Sequence, residues 1–152
     1  MLARTHLMLG VLASLIFLPY IENSFLFLSV TILSSLLPDI DSIHSLIGRI
    51  KILRPVQWVV KHRGMIHSFT ICTLLAIFFS LFFPLIVFPF FLGYGLHLLA
   101  DSITVEGIRP FWPLRSSIQG KIRVGRNFEK IFFYFILIII LFLSLRLFFL
   151  PT

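Results

Sequence analysis

Residues 61–91 read "KHRGMIHSFTICTLLAIFFSLFFPLIVFPFF". The stretch opens with two imidazoles, two cations and a serine, and from Phe69 to Phe91 it carries no charge. A soluble domain has no place for so long an apolar run, whereas a bilayer does. The whole chain is built alike. Of 152 residues, 59% are hydrophobic and 12% charged, and the mean hydropathy is +1.05. That much apolar surface exceeds what one small domain can hide from water. The length allows one domain, taken as 1–152.

Five apolar segments stand out, at 5–20, 25–37, 67–83, 85–99 and 128–150. The last comfortably reaches the ~20 residues of a simple span. Asn127 is a good N-cap for it, with Glu129 a favourable charge in its first turn. The others are short enough to tilt or to begin in the interface. "PYIENS" (19–24) and Pro84 punctuate the pairs, and Pro84 and Pro89 leave the start of the fourth helix open. Residues 1–20 have features of a signal peptide, but no good cleavage site follows, so a retained first helix is expected. Within 38–66, Ile43, Leu46, Ile47, Ile50 and Leu53 recur at helical spacing up to Pro55. They predict a short amphipathic helix in the interface. The expectation is an all-α integral membrane bundle of four to five transmembrane helices plus this interfacial helix.

Charge sets the orientation. The net charge is +7. In a soluble protein that would suggest nucleic acid, but here the cations flank apolar runs and read as topology and lipid contacts. Arg49, Lys51, Arg54, Lys61 and Arg63 fall in one polar stretch; Arg109, Arg115, Lys121, Arg123 and Arg126 fall in the other. Five spans with the N-terminus inside place both on the cytoplasmic face, with Arg146 a minor exception. The lone Cys72 lies in an apolar run and reads as packing. Trp58 and Trp112 read as interfacial anchors.

That topology gathers the ionisable groups. His6 begins the first helix, and Asp39 and Asp41 ("LLPDIDS") end the second. His62 and His67 precede the third; His97 and Asp101 ("GLHLLADS") end the fourth. All arrive at one membrane face. Each alone has an ordinary reading: interfacial histidine, turn aspartate, or an i,i+4 hydrogen bond for His97–Asp101. Together they are costly beside a membrane and point to function. Imidazoles with carboxylates suit zinc, with manganese or iron as alternatives. One or two ions are expected, with some of these residues as outer partners. His44 reads as interfacial. Gly93, on the His97–Asp101 stripe, would let another helix approach closely.

These motifs resemble a family. "HRGMIHS", "LLPDIDS" and "GYGLHLLADSITVEGIRPFWPL" are similar, in order, to the HRG-x-x-HS, PD-x-D and H-x-x-x-D-x-x-T-x-x-G elements of the YdjM-like (LexA-binding) inner-membrane proteins, which are regarded as metal-dependent hydrolases. The resemblance implies a multi-pass inner-membrane protein with such a site. A more distant likeness, through His97 and Asp101 only, is to the all-helical zinc-dependent phospholipase C and P1 nuclease group; it implies phosphoester hydrolysis.

The expected function is hydrolysis of a phosphoester, a lipid head group or a small cytosolic compound, by a metal-activated water. His6, Asp39, His62, His67, His97 and Asp101 are the expected ligands. Asp41 is expected to take a proton or bind a second ion, and Arg63 to hold a phosphate oxygen of the substrate or, equally, to contact a lipid head group. Thr104 and Gly107 would shape the turn after the fourth helix, and Ser68 would cap the third. The alternative is a non-catalytic membrane protein that docks a soluble regulatory protein and uses its metal structurally. No direct nucleic-acid binding is expected. An ion transporter fits poorly, because the deep parts of helices 2, 3 and 5 offer only serines, threonines and a cysteine.

Overall fold

The structure is a computed structural model and describes residues 1–41, 54, 57 and 64–149. It is an all-helical bundle of α1 (Ala3–Phe17), α2 (Ser24–Leu36), α3 (Phe69–Phe82), α4 (Pro84–Ser102) and α5 (Asn127–Phe149). The amphipathic helix expected around 43–53, together with His44, Trp58, His62 and Arg63, lies outside the described residues.

Among the described residues, four helical runs are long and apolar enough to cross a membrane: Ala3–Tyr20, Ser24–Asp41, Pro84–Ser102 and Asn127–Phe149. Three of these, Ala3–Tyr20, Ser24–Asp41 and Pro84–Ser102, are longer than their apolar segments suggest. A 3-10 turn, Leu18–Tyr20, continues α1, and another, Leu37–Asp41, continues α2. The second has a clear cause. Pro38 has no N–H and cannot extend the α-helical ladder. The Leu37 N–H bonds Ser34 O, and the chain tightens into the narrower helix. Asp39 and Asp41 therefore sit on a rigid turn. α3 is the shorter apolar helix of the set. Pro84 is the first residue of α4, where a missing N–H costs nothing, and Pro89 lies inside the same helix.

α4 is the central helix. Its buried residues include Phe90, Gly93, Tyr94, His97, Leu98 and Asp101. Cys72, Ala76, Phe90, Tyr94, Leu98 and Ile108 form the apolar core, so Cys72 is a buried packing residue. Small polar side chains line the helix contacts: Thr5, Ser14, Thr31, Ser34 and Ser35 are buried. Lipid gives no hydrophobic drive for helices to associate, and small side chains allow close packing instead. By contrast, only Glu129 and Ile136 of α5 are buried; most of the helix is exposed, and the partly covered residues include Phe132, Phe133, Ile139 and Leu143.

The tightest contact joins α4 to α2. A Cβ on Gly93 would lie 2.2 Å from Thr31 O and 3.0 Å from Ser35 N. Only glycine permits this approach, in keeping with its place on the His97–Asp101 stripe. The 103–126 segment then folds over the end of the bundle. Thr104 bridges to Ile122 and Ile108 to Ile118. Thr104 Oγ1 donates to Asp101 O at 2.7 Å and accepts from Gly107 N–H at 3.3 Å, while Gly107 takes a φ of 63°. Both residues shape the turn after α4. Pro110 O accepts from the Phe69 and Thr70 N–H groups, and Ser68 Oγ from Ile71 N–H. The loop and Ser68 together satisfy the exposed amides at the start of α3.

Replacing glycine by alanine inside a helix usually adds up to about 1 kcal/mol of stability. At position 93 the new methyl would meet backbone that cannot yield. Gly93→Ala is expected to cost about 1–3 kcal/mol net, lowering the thermal midpoint in detergent. Gly95→Ala serves as the contrast, because its nearest neighbour would be Phe69 Cε1 at 3.9 Å; it is expected to be neutral or stabilising. Equal midpoints for the two variants would contradict this packing.

Candidate metal centre

His6, Asp39, Asp41, His67, His97 and Asp101 converge at one end of the bundle, as the topology requires. His6, His67, His97, Asp41 and Asp101 are buried, and Asp39 nearly so. Four separate segments deliver them: the start of α1, the turn after α2, the residue before the α3 cap, and the end of α4.

His97 fixes the logic of the site. Its Nδ1 lies 2.7 Å from Ser35 O. A carbonyl only accepts, so Nδ1 carries the hydrogen and Nε2 presents a lone pair. That Nε2 is buried without a hydrogen bond and lies 3.8 Å from Asp39 Oδ1 and 3.7 Å from Asp101 Oδ2. A lone pair aimed at two carboxylates is repulsive unless a cation lies between them.

His67 repeats the arrangement. Its Nδ1 is 3.1 Å from Asp41 Oδ2. Its Nε2 is 3.9 Å from Asp39 Oδ1 and 3.7 Å from Asp101 Oδ2. The two aspartates of the 3-10 turn thus flank opposite nitrogens of one ring. Asp39 faces the shared centre, and Asp41 stands behind His67, where a carboxylate orients a metal-binding imidazole.

His6 completes the cluster. Its ring stacks on that of His97, with centroids 3.7 Å apart and 14° between planes. Its Nε2 is 3.3 Å from Asp101 Oδ1, which the Met1 amine also meets.

Two overlapping triads have ligand atoms within 4.8 Å of one another: His6–Asp39–His97 and His67–His97–Asp101. They share His97, which has only Nε2 to give. An ion held by that nitrogen could be completed from either set. Ligands about 2.0–2.1 Å from zinc lie roughly 3.4 Å apart around a tetrahedron, and the observed N–O separations of 3.7–3.9 Å are a few tenths of an ångström wider. The mixed imidazole and carboxylate donors fit a divalent ion of the zinc, manganese or iron type.

Two contributors are silent in the sequence. Ser35 acts through a main-chain carbonyl, which no residue type announces. Glu129, by its position, is no more than a favourable charge in the first turn of α5. In the structure it is buried, and its Oε1 accepts from Leu2 N–H at 2.6 Å and Thr5 Oγ1 at 3.0 Å, while Oε2 accepts from Gly125 N–H at 2.5 Å. One carboxylate thereby pins the start of α1, and His6 with it, to the start of α5.

A family model described as YdjM inner membrane protein matches residues 1–150. The chain belongs to the YdjM family. It is 40% identical over 111 residues to the inner membrane protein YdjM of Escherichia coli (strain K12), an alignment covering 65% of this chain and 57% of that one. The Shigella flexneri inner membrane protein YdjM matches to the same extent. The alignment thus spans somewhat more than half the length of these curated relatives. No solved structure matches. The family and the four apolar helices make the chain an inner-membrane protein.

Glu129→Ala would remove the acceptor of two part-buried amide bonds and of one buried hydroxyl. A loss of about 2–4 kcal/mol is expected, read as a lower thermal midpoint in detergent. Glu129→Gln keeps one acceptor oxygen and should fall between. A Glu129→Ala midpoint equal to wild type would show that the pin carries no stability.

Proposed function

We propose that the chain is a membrane-bound, metal-dependent hydrolase of a phosphoester, with its site on the cytoplasmic face. The observation that supports this reading best is the His97 ring. One nitrogen is committed to Ser35 O, and the other aims a lone pair at Asp39 and Asp101. Asp39, His67, His97 and Asp101 would hold the ion, with His6 as a fifth donor. Ser35 O and Asp41 would keep the two rings turned inward, and Asp41 would raise the basicity of His67. A divalent ion there supplies an acidified water and polarises a phosphoryl oxygen. Arg63 is retained from the motif as the group that holds a phosphate oxygen, and His62 as the ligand that would allow a second ion. The cytoplasmic placement rests on the two lysine- and arginine-bearing stretches.

Metal content of detergent-purified protein tests the reading. One or two zinc, manganese or iron ions per chain are expected, lost in a His97→Ala/Asp101→Ala variant. Phosphoester turnover should disappear with them. A folded protein that takes up no metal after reconstitution would sink the proposal in favour of the non-catalytic docking protein. Metal with fully closed coordination and no turnover would favour a structural ion instead.

Asp41→Asn separates an orienting residue from a ligand. Loss of the carboxylate behind His67 should weaken zinc by about 10–100-fold without abolishing it, measured by competition with a chelating dye. Complete loss of metal would make Asp41 a ligand in its own right.

A further inference from the structure

α5 rises about 1.5 Å per residue, so its 23 residues span the hydrocarbon core of about 30 Å. Its first turn therefore lies at the membrane–water boundary, at the same end of the bundle as the histidine–aspartate cluster. At that turn the structure has a concavity of about 400 Å³ lined by Lys121, Ile122, Arg123, Arg126 and Phe128. All three cations are exposed. None makes an ion pair among the described residues. The backbone beneath them is held: Val105 N–H donates to Ile122 O at 3.0 Å, and Ile122 N–H to Ile103 O at 3.1 Å. Immediately on the membrane side lie Phe128, Ile131 and Phe135, all exposed.

We propose that this concavity binds the phosphate head group of an anionic glycerophospholipid, with Lys121, Arg123 and Arg126 on the phosphate and an acyl chain along Phe128 and Ile131. The charge complementarity selects an anion. The apolar wall that continues from the cations into the bilayer selects a lipid over free phosphate. Three cations at one pocket go beyond the diffuse attraction that scattered basic residues give. The site is separate from the metal centre, and its occupancy does not depend on the metal.

The test uses full-length protein in nanodiscs of phosphatidylcholine, titrated with phosphatidylglycerol and followed by native mass spectrometry and thermal midpoint. Phosphatidylglycerol should bind and raise the midpoint. A Lys121→Gln/Arg123→Gln/Arg126→Gln variant should bind it about tenfold more weakly, with unchanged helicity and metal content. The charge-matched Arg109→Gln/Arg115→Gln/Arg146→Gln variant should bind as wild type. Equal weakening in both variants would reduce the effect to net charge and overturn the site. Full competition by inorganic phosphate at millimolar concentration would also overturn it, because the ligand would then be a soluble anion.

Discussion

The close approach of α2 and α4 at Gly93 is the constraint on which the site depends. With a Cβ at that position the backbones could not meet. Because they do, Ser35 O comes within 2.7 Å of His97 Nδ1, one turn further along α4. That bond leaves Nε2 as the donor, and it sets which way the ring faces. Asp101, a further turn on, then falls on the same side. A single missing methyl thus fixes an interhelical distance, a tautomer and the position of two donors.

The turn after α2 supplies the other half. Pro38 stops the α-helical ladder and the chain continues as a 3-10 helix, with about three residues per turn. Side chains two apart then point in different directions. Asp39 can face the centre while Asp41 reaches the far side of His67. On an α-helix or a flexible loop the same Pro-Asp-x-Asp sequence would not hold two carboxylates against opposite nitrogens of one ring. Helix-end geometry, rather than loop adaptability, is what makes these donors converge.

Much of this arrangement is legible in the amino-acid sequence alone. The apolar runs mark the helices, and the polar residues at their ends mark the cluster. Gly93 stands out as a close-approach position by its place on the His97–Asp101 stripe. The expected ligands among the described residues, His6, Asp39, His67, His97 and Asp101, do come together. Ser35 is not legible, because its contribution is a backbone carbonyl. Asp41 reads as a proton acceptor or ligand, since spacing alone does not say on which side of His67 a second carboxylate will lie. The burial of Glu129 is invisible because a first-turn acid is so often a solvated charge near the helix dipole. Span length is underestimated for a related reason. A polar Pro-Asp turn looks like the end of a helix in sequence, yet here it extends one.

Why such a site should sit at the bundle end follows from electrostatics. Three carboxylates and three imidazoles in the middle of a bilayer would have to be neutralised completely or would cost several kcal/mol each. At the helix ends the same groups can be enclosed by protein and still lie close to the membrane surface. The 103–126 segment provides the enclosure. Its Pro110 carbonyl ties it to the start of α3, and its turn at Thr104 ties it to the end of α4. The donors are therefore held in a buried cluster rather than spread over an open surface. A transport pathway would need polar groups that continue along the bundle. Here the deeper contacts are Ser14, Thr31, Cys72 and Phe90, which pack helices together. Among the described residues, the buried carboxylates and imidazoles gather at this end of the bundle, and the deeper buried polar groups are hydroxyls that pack between helices.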